Sequence, residues 1–203
     1  MAAPTLELKI LQGKTLTLAL KFAGEDLVYK PVSAIVSLAP ARLTVTGHNL
    51  PAEWPVRVES AKAPLEINTA PGQWKLATKV DANTLEFNDM NLTAAKAFVG
   101  PAVLIYQRPE PMTGWKIRAQ FRAEPGGTVL LDASSDVADS PDGTINIDHT
   151  NCSFELTFTD EITAAITWLK CVYDIEAILP DGSVTQIIAP SKAVVEKEIT
   201  VWA

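Results

Sequence analysis

A run of alternating apolar and polar residues, from Cys171 to Val201, most constrains what this chain can fold into. Between Cys171 and Leu179 every second residue is apolar, and Asp174 and Glu176 lie among the residues between them. Such alternation predicts a β-strand with one buried and one solvated face. The rest of the chain must therefore supply an apolar surface on which this strand packs.

A turn follows this strand at Pro180-Asp181-Gly182. A type I turn with its glycine in the left-handed conformation pairs Leu179 with Ser183. The same register places Ile175 opposite Ile187, so that both strands present one apolar face.

A third segment begins after Pro190 and repeats the alternation. Its apolar face consists of Val195, Ile199 and Val201. We expect the acidic face of the whole ribbon to be available to a partner; this face consists of Asp174, Glu176, Glu196 and Glu198.

Composition narrows the class of protein. The chain has 203 residues, 47% of them hydrophobic, which is enough for one or two folded domains. Its net charge is −7 and its basic residues are scattered, so we expect no nucleic-acid partner. No apolar run approaches the roughly 18 residues that span a bilayer, and the first residues do not resemble a signal peptide, so we expect folding in a cytoplasm and no membrane contact.

The two cysteines, Cys152 and Cys171, lie on segments that a sheet could bring together, so a disulfide is conceivable. The absence of a secretion signal favours two buried thiols, because a cytoplasm keeps thiols reduced. The sequence leaves this choice open.

The chain opens with two alternating segments, around Leu6–Ile10 and Leu16–Phe22, which predict two strands, and then a loop over Ala23–Pro31. From residue 32 to 107 the sequence pattern changes to short apolar segments separated by Pro, Gly and Asn. We interpret this stretch as an inserted small β module. Its predicted strands are Ile35–Leu38, Arg42–Thr46, Val56–Glu59, Gln73–Val80, Thr84–Phe87 and Val103–Gln107, and Asn91 is predicted to cap one helical turn.

Alternation resumes at Trp115 and predicts a strand to Arg122, followed by strands Val129–Ala133, Thr144–Asp148 and Cys152–Phe158. Apolar residues at helical spacing between Thr159 and Leu169 predict a short amphipathic helix. About eight strands at regular spacing with one helix predict an all-β chain with an immunoglobulin-like β-sandwich. The sandwich is discontinuous, residues 1–31 plus 108–203, and the small β-barrel-like domain, 32–107, is inserted in it.

An acidic loop, 134–148, is the strongest candidate for a metal site because carboxylate oxygens suit calcium. Its acidic residues are Asp136, Asp139, Asp142 and Asp148. Their spacing does not match the calcium-loop pattern, and no glutamate closes the loop. We therefore interpret it as a solvated turn and predict no metal.

The two histidines, His48 and His149, fall one in each predicted domain. We interpret His48 as a loop residue with a structural hydrogen bond and His149, beside Asp148 and Thr150, as a turn residue, since a catalytic histidine needs a positioned partner and nothing in the sequence supports one. The turn glycines precede no helix that could cradle a phosphate. The sequence thus predicts no catalytic residue and no cofactor.

Five tryptophans are candidate contact residues. We predict core positions for Trp74, Trp115 and Trp168, and exposed positions for Trp54 and Trp202. Exposed aromatic residues favour protein contacts. The predicted partner contacts are therefore Trp54, Trp202, Glu196 and Glu198, while a sugar-stacking role for the tryptophans remains the alternative.

The run from Pro111 to Arg122, in which Thr113-Gly114 precedes Arg118-Ala119-Gln120-Phe121-Arg122, resembles a motif of tailed-phage and prophage proteins. The Tyr173-Asp174-Ile175-Glu176 strand and its Asp181-Gly182 turn are similar to the closing hairpin of the same proteins. Together, over about residues 5–31 and 108–201, they resemble the N-terminal immunoglobulin-like domain of baseplate upper proteins and related tail proteins.

The insert is similar to another phage-associated module, related to the FCCH segment of ubiquitin-activating enzymes. The similarity lies in Ala41 to Leu50, with its Gly47-His48 turn, in Glu66-Ile67-Asn68, and in Val80 to Phe87. The segment 52–56 departs from the usual pattern after the turn. The resemblance implies a structural role and contributes no enzymatic residues.

The resemblance implies a non-enzymatic virion structural protein of a tailed bacteriophage, assembled in the host cytoplasm. Its expected place is the tail, baseplate or fibre region, where it contacts other virion proteins and forms a homo-oligomer. Two alternatives stay open: a capsid decoration or head–tail joining protein, and a carbohydrate-binding module for a host surface glycan.

Overall fold

The computed structural model describes residues 3–139 and 142–197. These residues form two compact units. The first, called the sandwich unit, comprises residues 3–21, 111–149 and 153–197 within the described part of the chain, and the second, called the inserted unit, comprises 22–110 with 150–152. Residues 22–31 and 108–110, assigned to the sandwich from the sequence, thus belong by their contacts to the inserted unit.

Strands make up most of both units. In chain order they are β1 (Leu8–Leu11), β2 (Leu16–Lys21), β3 (Ala23–Pro31), β4 (Ala34–Leu38), β5 (Ala41–Thr44), β6 (Glu53–Glu59), β7 (Lys75–Lys79), β8 (Thr84–Phe87), β9 (Val103–Pro109), β10 (Lys116–Arg122), β11 (Val129–Ser134), β12 (Gly143–Asp148), β13 (Ser153–Phe158), β14 (Lys170–Ile178) and β15 (Val184–Glu196). The helical segments are α1 (Asp160–Ala164) and a 3-10 turn at Leu65–Ile67. Among the described residues there is no long apolar helix of the kind that crosses a bilayer.

The sandwich unit is one eight-stranded sheet folded over on itself, in the order β1-β15-β14-β10-β11-β12-β13-β2. The sheet bends between β11 and β12, which run parallel and pair over only two residue pairs. Across the interior, Phe121 of β10 meets Phe158 of β13 edge to face at 5.4 Å and stacks on Tyr173 of β14 at 4.9 Å. All three rings are buried, so the two layers share one aromatic core.

The two opening strands lie at opposite ends of this sheet. Strand β1 runs parallel to the end of β15, and β2 pairs antiparallel with β13 over six residues. Gly13, with φ +72°, turns the chain between them. The alternation in the sequence identifies both strands, but their partners come from distant parts of the chain.

The C-terminal ribbon confirms the predicted turn and corrects the register beyond it. Gly182 has φ +84°, and Leu179 N–H donates to Ser183 O at 2.9 Å. Ile175 pairs with Ile188 rather than Ile187, because bulges shift the register on both sides of Ile175. The last two predicted segments form one strand that continues through Pro190, which lies at a bulge where no ladder hydrogen bond is lost. Ile199 and Val201 lie outside the described residues.

The predicted helix begins where expected and ends early. The Thr159 hydroxyl accepts from Ile162 N–H at 3.5 Å, and α1 ends after one turn, so Leu169 is not helical and is 55% exposed. Its buried residue is Thr163, whose hydroxyl donates to Lys14 O at 2.8 Å. The helix therefore closes the sheet through a polar contact as well as through apolar ones.

The inserted unit is a seven-stranded, nearly barrel-shaped sheet in the order β3-β9-β6-β7-β8-β5-β4. All six strands predicted for the insert are present, with small shifts at their ends. Residues 23–31, predicted as a loop, form edge strand β3, whose alternation is obscured by an irregular register between Ala23 and Leu27. Asn91 does cap a turn, accepting from Thr93 N–H at 3.0 Å, but no helix follows.

The all-β class, the β-sandwich, its single short α-helix and the barrel-like inserted unit are confirmed. Cys152 and Cys171 are buried and are not joined by a disulfide. Burial raises the pKa of the Cys171 thiol to about 12, which keeps it protonated and unreactive at neutral pH.

Candidate functional site

The predicted contact residues have different fates. Trp54, predicted to be exposed, is 1% exposed, lies in the core of the inserted unit, and donates from Nε1 to Gln107 O at 2.9 Å. Glu196 is exposed but forms an ion pair with Lys9 at 2.7 Å, which joins β15 to β1. Trp202 and Glu198 lie outside the described residues.

Trp54 is buried because β6 starts at Glu53, earlier than predicted. In this phase Trp54, Val56 and Val58 face the core, and Pro55 and Arg57 face outward. Trp74 was predicted to lie in the core, and this prediction is wrong. Trp74 precedes β7 and is 41% exposed.

Basic and amide side chains flank the acidic face of the ribbon. On β10, Arg118 lies opposite Glu176, and Gln120 lies opposite Asp174. Asp174 is half-buried, and burial raises its pKa against the opposing effect of nearby Arg122. Asp174 and Glu176 thus share a mixed-charge surface, not a purely acidic one.

A groove of about 200 Å³ lies on this outer face of the sandwich unit. It is lined by Gln120, Arg122, Asp174, Glu176 and Pro190, among others. Arg122 is held in place, donating to Gly127 O at 2.6 Å and to Gln120 Oε1 at 2.7 Å. The groove is therefore rigid, polar and open.

The motif residues Arg118, Gln120 and Arg122 serve the fold. Arg118 forms an ion pair with the buried carboxylate of Asp132 on β11, and Gln120 donates to the same carboxylate at 3.3 Å. Two donors from one strand thus satisfy a carboxylate on the next, which fixes the β10–β11 register.

The acidic loop uses its carboxylates internally. Asp136 accepts from Ala138 N–H at 3.2 Å and from Lys116 Nζ at 3.2 Å, and these bonds lower its pKa. Asp142 accepts from Asp132 N–H at 3.0 Å. Within residues 3–139 and 142–197, no three His, Cys, Asp or Glu side chains are placed to hold a metal.

His48 is a fully buried structural residue of the inserted unit. Its Nδ1 accepts from Leu50 N–H at 3.1 Å, so the proton is on Nε2, which donates to Asp81 O at 2.9 Å. Tyr106 donates its hydroxyl proton to His48 O. Burial lowers the pKa of His48, so the neutral ring holds the 46–50 turn against the β7–β8 turn.

His149, unlike His48, is not buried. It is exposed and lines an open depression of about 430 Å³ at one end of the sandwich unit, together with Trp115, Lys116, Asp136 and Asn146. Trp115 is half-buried there, so this depression is where an aromatic ring and polar side chains come together.

The surface that the sequence does not reveal lies on the outside of the inserted unit. Strands β3, β9, β6 and β7 are neighbours there, and their registers align outward-facing side chains in rows. Tyr29 lies opposite Ile105, Ile105 lies opposite Arg57, and the Arg57 guanidinium lies 5.4 Å from the centroid of the Trp74 ring.

Beside this row, Leu27 lies opposite Gln107 on β9, and Pro55 lies opposite Leu76 on β7. Among the outward-facing residues of these strands and of the segment before β7, the large exposed side chains are Tyr29 at 60%, Leu76 at 51%, Trp74 at 41% and Leu27 at 39%. We call Leu27, Tyr29, Arg57, Trp74 and Leu76 the aromatic face. It gathers Tyr, Trp and Arg, which are enriched in protein interfaces, together with two exposed leucines.

Arg57 organises this face. Its Nε lies 3.1 Å from Glu59 Oε1, at an angle that makes an ion pair without a hydrogen bond, while its guanidinium packs on Trp74. Ile105 is buried although it points outward, because Tyr29 and Arg57 flank it. Arg57 thus contacts both Trp74 and Glu59 on this side of the inserted unit.

The sequence contained one usable signal for the aromatic face: Trp74, Leu76 and Val80 lie on the same side of an alternating strand. The residues of β3 that belong to the aromatic face carry no such signal in the sequence, and no strand was therefore predicted there. The sequence matches no protein-family model and no curated protein.

Proposed function

We propose that the chain is a non-enzymatic structural protein of a tailed-phage virion, an adaptor of the tail, baseplate or fibre region that acts through protein contacts. The motifs of β10 and of the β14–β15 hairpin, which resemble baseplate upper proteins, support this proposal. The aromatic face carries it further, because it is an exposed cluster of Tyr, Trp, Arg and Leu side chains.

On this proposal the aromatic face of the inserted unit binds a neighbouring virion protein. The ring of Trp74 and the side chain of Leu76 enter the partner's apolar surface, and Arg57 orients the ring. Glu53 and Glu59 lie on the same outward side of β6 as Arg57, so the complementary surface carries basic residues around an apolar centre.

The test is a comparison of purified virions separated into heads and tails. We expect the protein in the tail fraction by mass spectrometry, and retention in the head fraction would favour the capsid alternative instead. Phage carrying the double substitution Trp74→Ala and Leu76→Asp should incorporate at least about tenfold less of this protein, since truncated hot-spot residues cost at least about 2 kcal/mol.

Leu65→Asp is the matched control, because Leu65 is 67% exposed and lies outside the aromatic face. It should leave incorporation unchanged. Equal incorporation of the double variant and the control would rule out the aromatic face as the contact surface.

The carbohydrate-binding alternative now has a different location. Trp54 is excluded as a stacking platform because it is buried, whereas Trp115 lines an open depression with Asn146 and His149. A glycan-array signal that is lost in Trp115→Ala and kept in Trp74→Ala would favour this second candidate.

A further inference from the structure

Strand β3 is an edge strand of the inserted unit's sheet, and among the described residues it pairs with β9 alone. It is nine residues long, but its register with β9 is regular only from Leu27 to Pro31, and the opposite edge strand, β4, has five residues. Leu27 and Tyr29 are exposed on it, and Val28 between them packs towards the core. A long edge with exposed apolar side chains is a template for a further strand.

The sequence of β3 is complementary to itself. When two copies pair antiparallel about a two-fold axis at Val28, Asp26 lies opposite Lys30 of the second copy, and Lys30 lies opposite its Asp26. Leu27 then lies opposite Tyr29 of the second copy, and by the same symmetry Tyr29 lies opposite Leu27 of the second copy. Opposite charges and aromatic–aliphatic pairs directly across two strands both stabilise pairing.

The charges of Asp26 and Lys30 are available for such pairing. Within the described part of the chain neither side chain forms an ion pair. Pro31 has no N–H group and therefore ends the stretch of β3 that can pair. The paired stretch is then about as long as the segment from Asp26 to Lys30.

The other edge of this sheet does not specify a register. Strand β4 reads Ala-Ile-Val-Ser-Leu and has no charged residue, so slipped pairings of two β4 strands differ little in energy. Of the two edge strands of this sheet in the described part of the chain, β3 is the one that combines exposed apolar side chains with a charge pattern that selects one antiparallel alignment.

We propose that two copies of the chain associate through antiparallel β3 strands, with the two-fold axis at Val28, so that the two seven-stranded sheets join. Tyr29 and Leu27 of both copies form one continuous row, and the two aromatic faces become one surface. The role of this dimer in a symmetric assembly rests on the proposed function. The pairing itself does not, because it is a property of the isolated chain.

Charge reversal tests the pairing. Sedimentation velocity of the full chain over a concentration series should show a monomer–dimer equilibrium. Asp26→Lys and Lys30→Asp should each weaken dimerisation at least about tenfold, because each replaces two attractive pairs by two repulsive ones. The double variant, Asp26→Lys with Lys30→Asp, should restore it. An equimolar mixture of the two single variants should form a heterodimer, since its two charge pairs are again opposite in sign.

Lys96→Asp is the control, an exposed lysine elsewhere in the same unit, and far-ultraviolet circular dichroism confirms that each variant is folded. A wild-type chain that stays monomeric throughout its soluble range would overturn the proposal, as would a dimer that all these variants leave unchanged. Neither result bears on virion location, which the head and tail fractions decide separately.

Discussion

His48 shows at the scale of one residue how burial fixes a protonation state. Both ring nitrogens are engaged, Nδ1 as acceptor from Leu50 N–H and Nε2 as donor to Asp81 O. A second proton on Nδ1 would remove the first bond and charge a buried ring near Lys79 and Lys30, while Asp81 is the acidic residue that faces it.

The free energy of unfolding should therefore depend on pH through His48. Its folded-state pKa lies below the ordinary 6.5, so the unfolded state takes up the proton first as pH falls. The stabilising contribution is complete above about pH 6.5 and is lost as pH falls towards the lowered pKa. Urea unfolding from pH 7.5 to 5.5 should show a steeper loss of stability for wild type than for His48→Gln.

The substitution should also cost about 1–3 kcal/mol at pH 7.5, because the N–H of buried Leu50 loses its acceptor. His149→Gln is the matched control, since it removes the chain's other histidine. A His48→Gln protein with the wild-type pH slope would contradict this role.

At the scale of the element, the β14–β15 hairpin depends on one glycine and one aspartate. Gly182 has φ +84°, and Asp181 accepts from Ser183 N–H at 2.9 Å and from its hydroxyl at 2.6 Å. The bulges beyond the turn let β15 continue past Pro190 to pair with β1. The turn thus sets where a strand of thirteen residues begins.

Gly182→Ala should destabilise the chain by about 1–2 kcal/mol, because a Cβ is strained in the left-handed conformation even though open space surrounds it. Gly182→Asn should cost clearly less, since Asn tolerates that conformation. Denaturant midpoints measure both, and an equal loss for the two variants would point to a cause other than backbone strain.

At the scale of the whole molecule, each unit has its own core. Phe121, Phe158 and Tyr173 centre that of the sandwich unit, and Trp54 lies in that of the inserted unit. Each core is formed by inward faces of strands that are distant in sequence, so neither can form from a local segment alone.

Phe121→Ala should lower the free energy of unfolding by about 3–5 kcal/mol, because it leaves a cavity between two buried rings. Hydrogen exchange read by mass spectrometry should accelerate in β10, β13 and β14. Val137→Ala is the control, since Val137 is 82% exposed and its truncation should change stability by less than about 0.5 kcal/mol. Unchanged exchange in these strands would show that Phe121 does not hold the layers together.

The sequence by itself determined most of the strands and the turn of the C-terminal ribbon, but it predicted a loop where β3 forms. Alternation identified β10, β13 and β14 with their buried faces, and Asp181-Gly182 marked the turn. These are local properties, because side-chain direction alternates along any strand and positive φ favours glycine.

Only the tertiary structure decided which strands are neighbours and which tryptophan is exposed. Strands β1 and β2 adjoin in sequence yet lie at opposite ends of their sheet, since pairing depends on partners far along the chain. Trp54 is buried because β6 begins at Glu53 rather than at Val56, whereas Trp74 precedes β7 and is exposed. The aromatic face exists because strands distant in sequence become neighbours in the sheet, which no local pattern encodes.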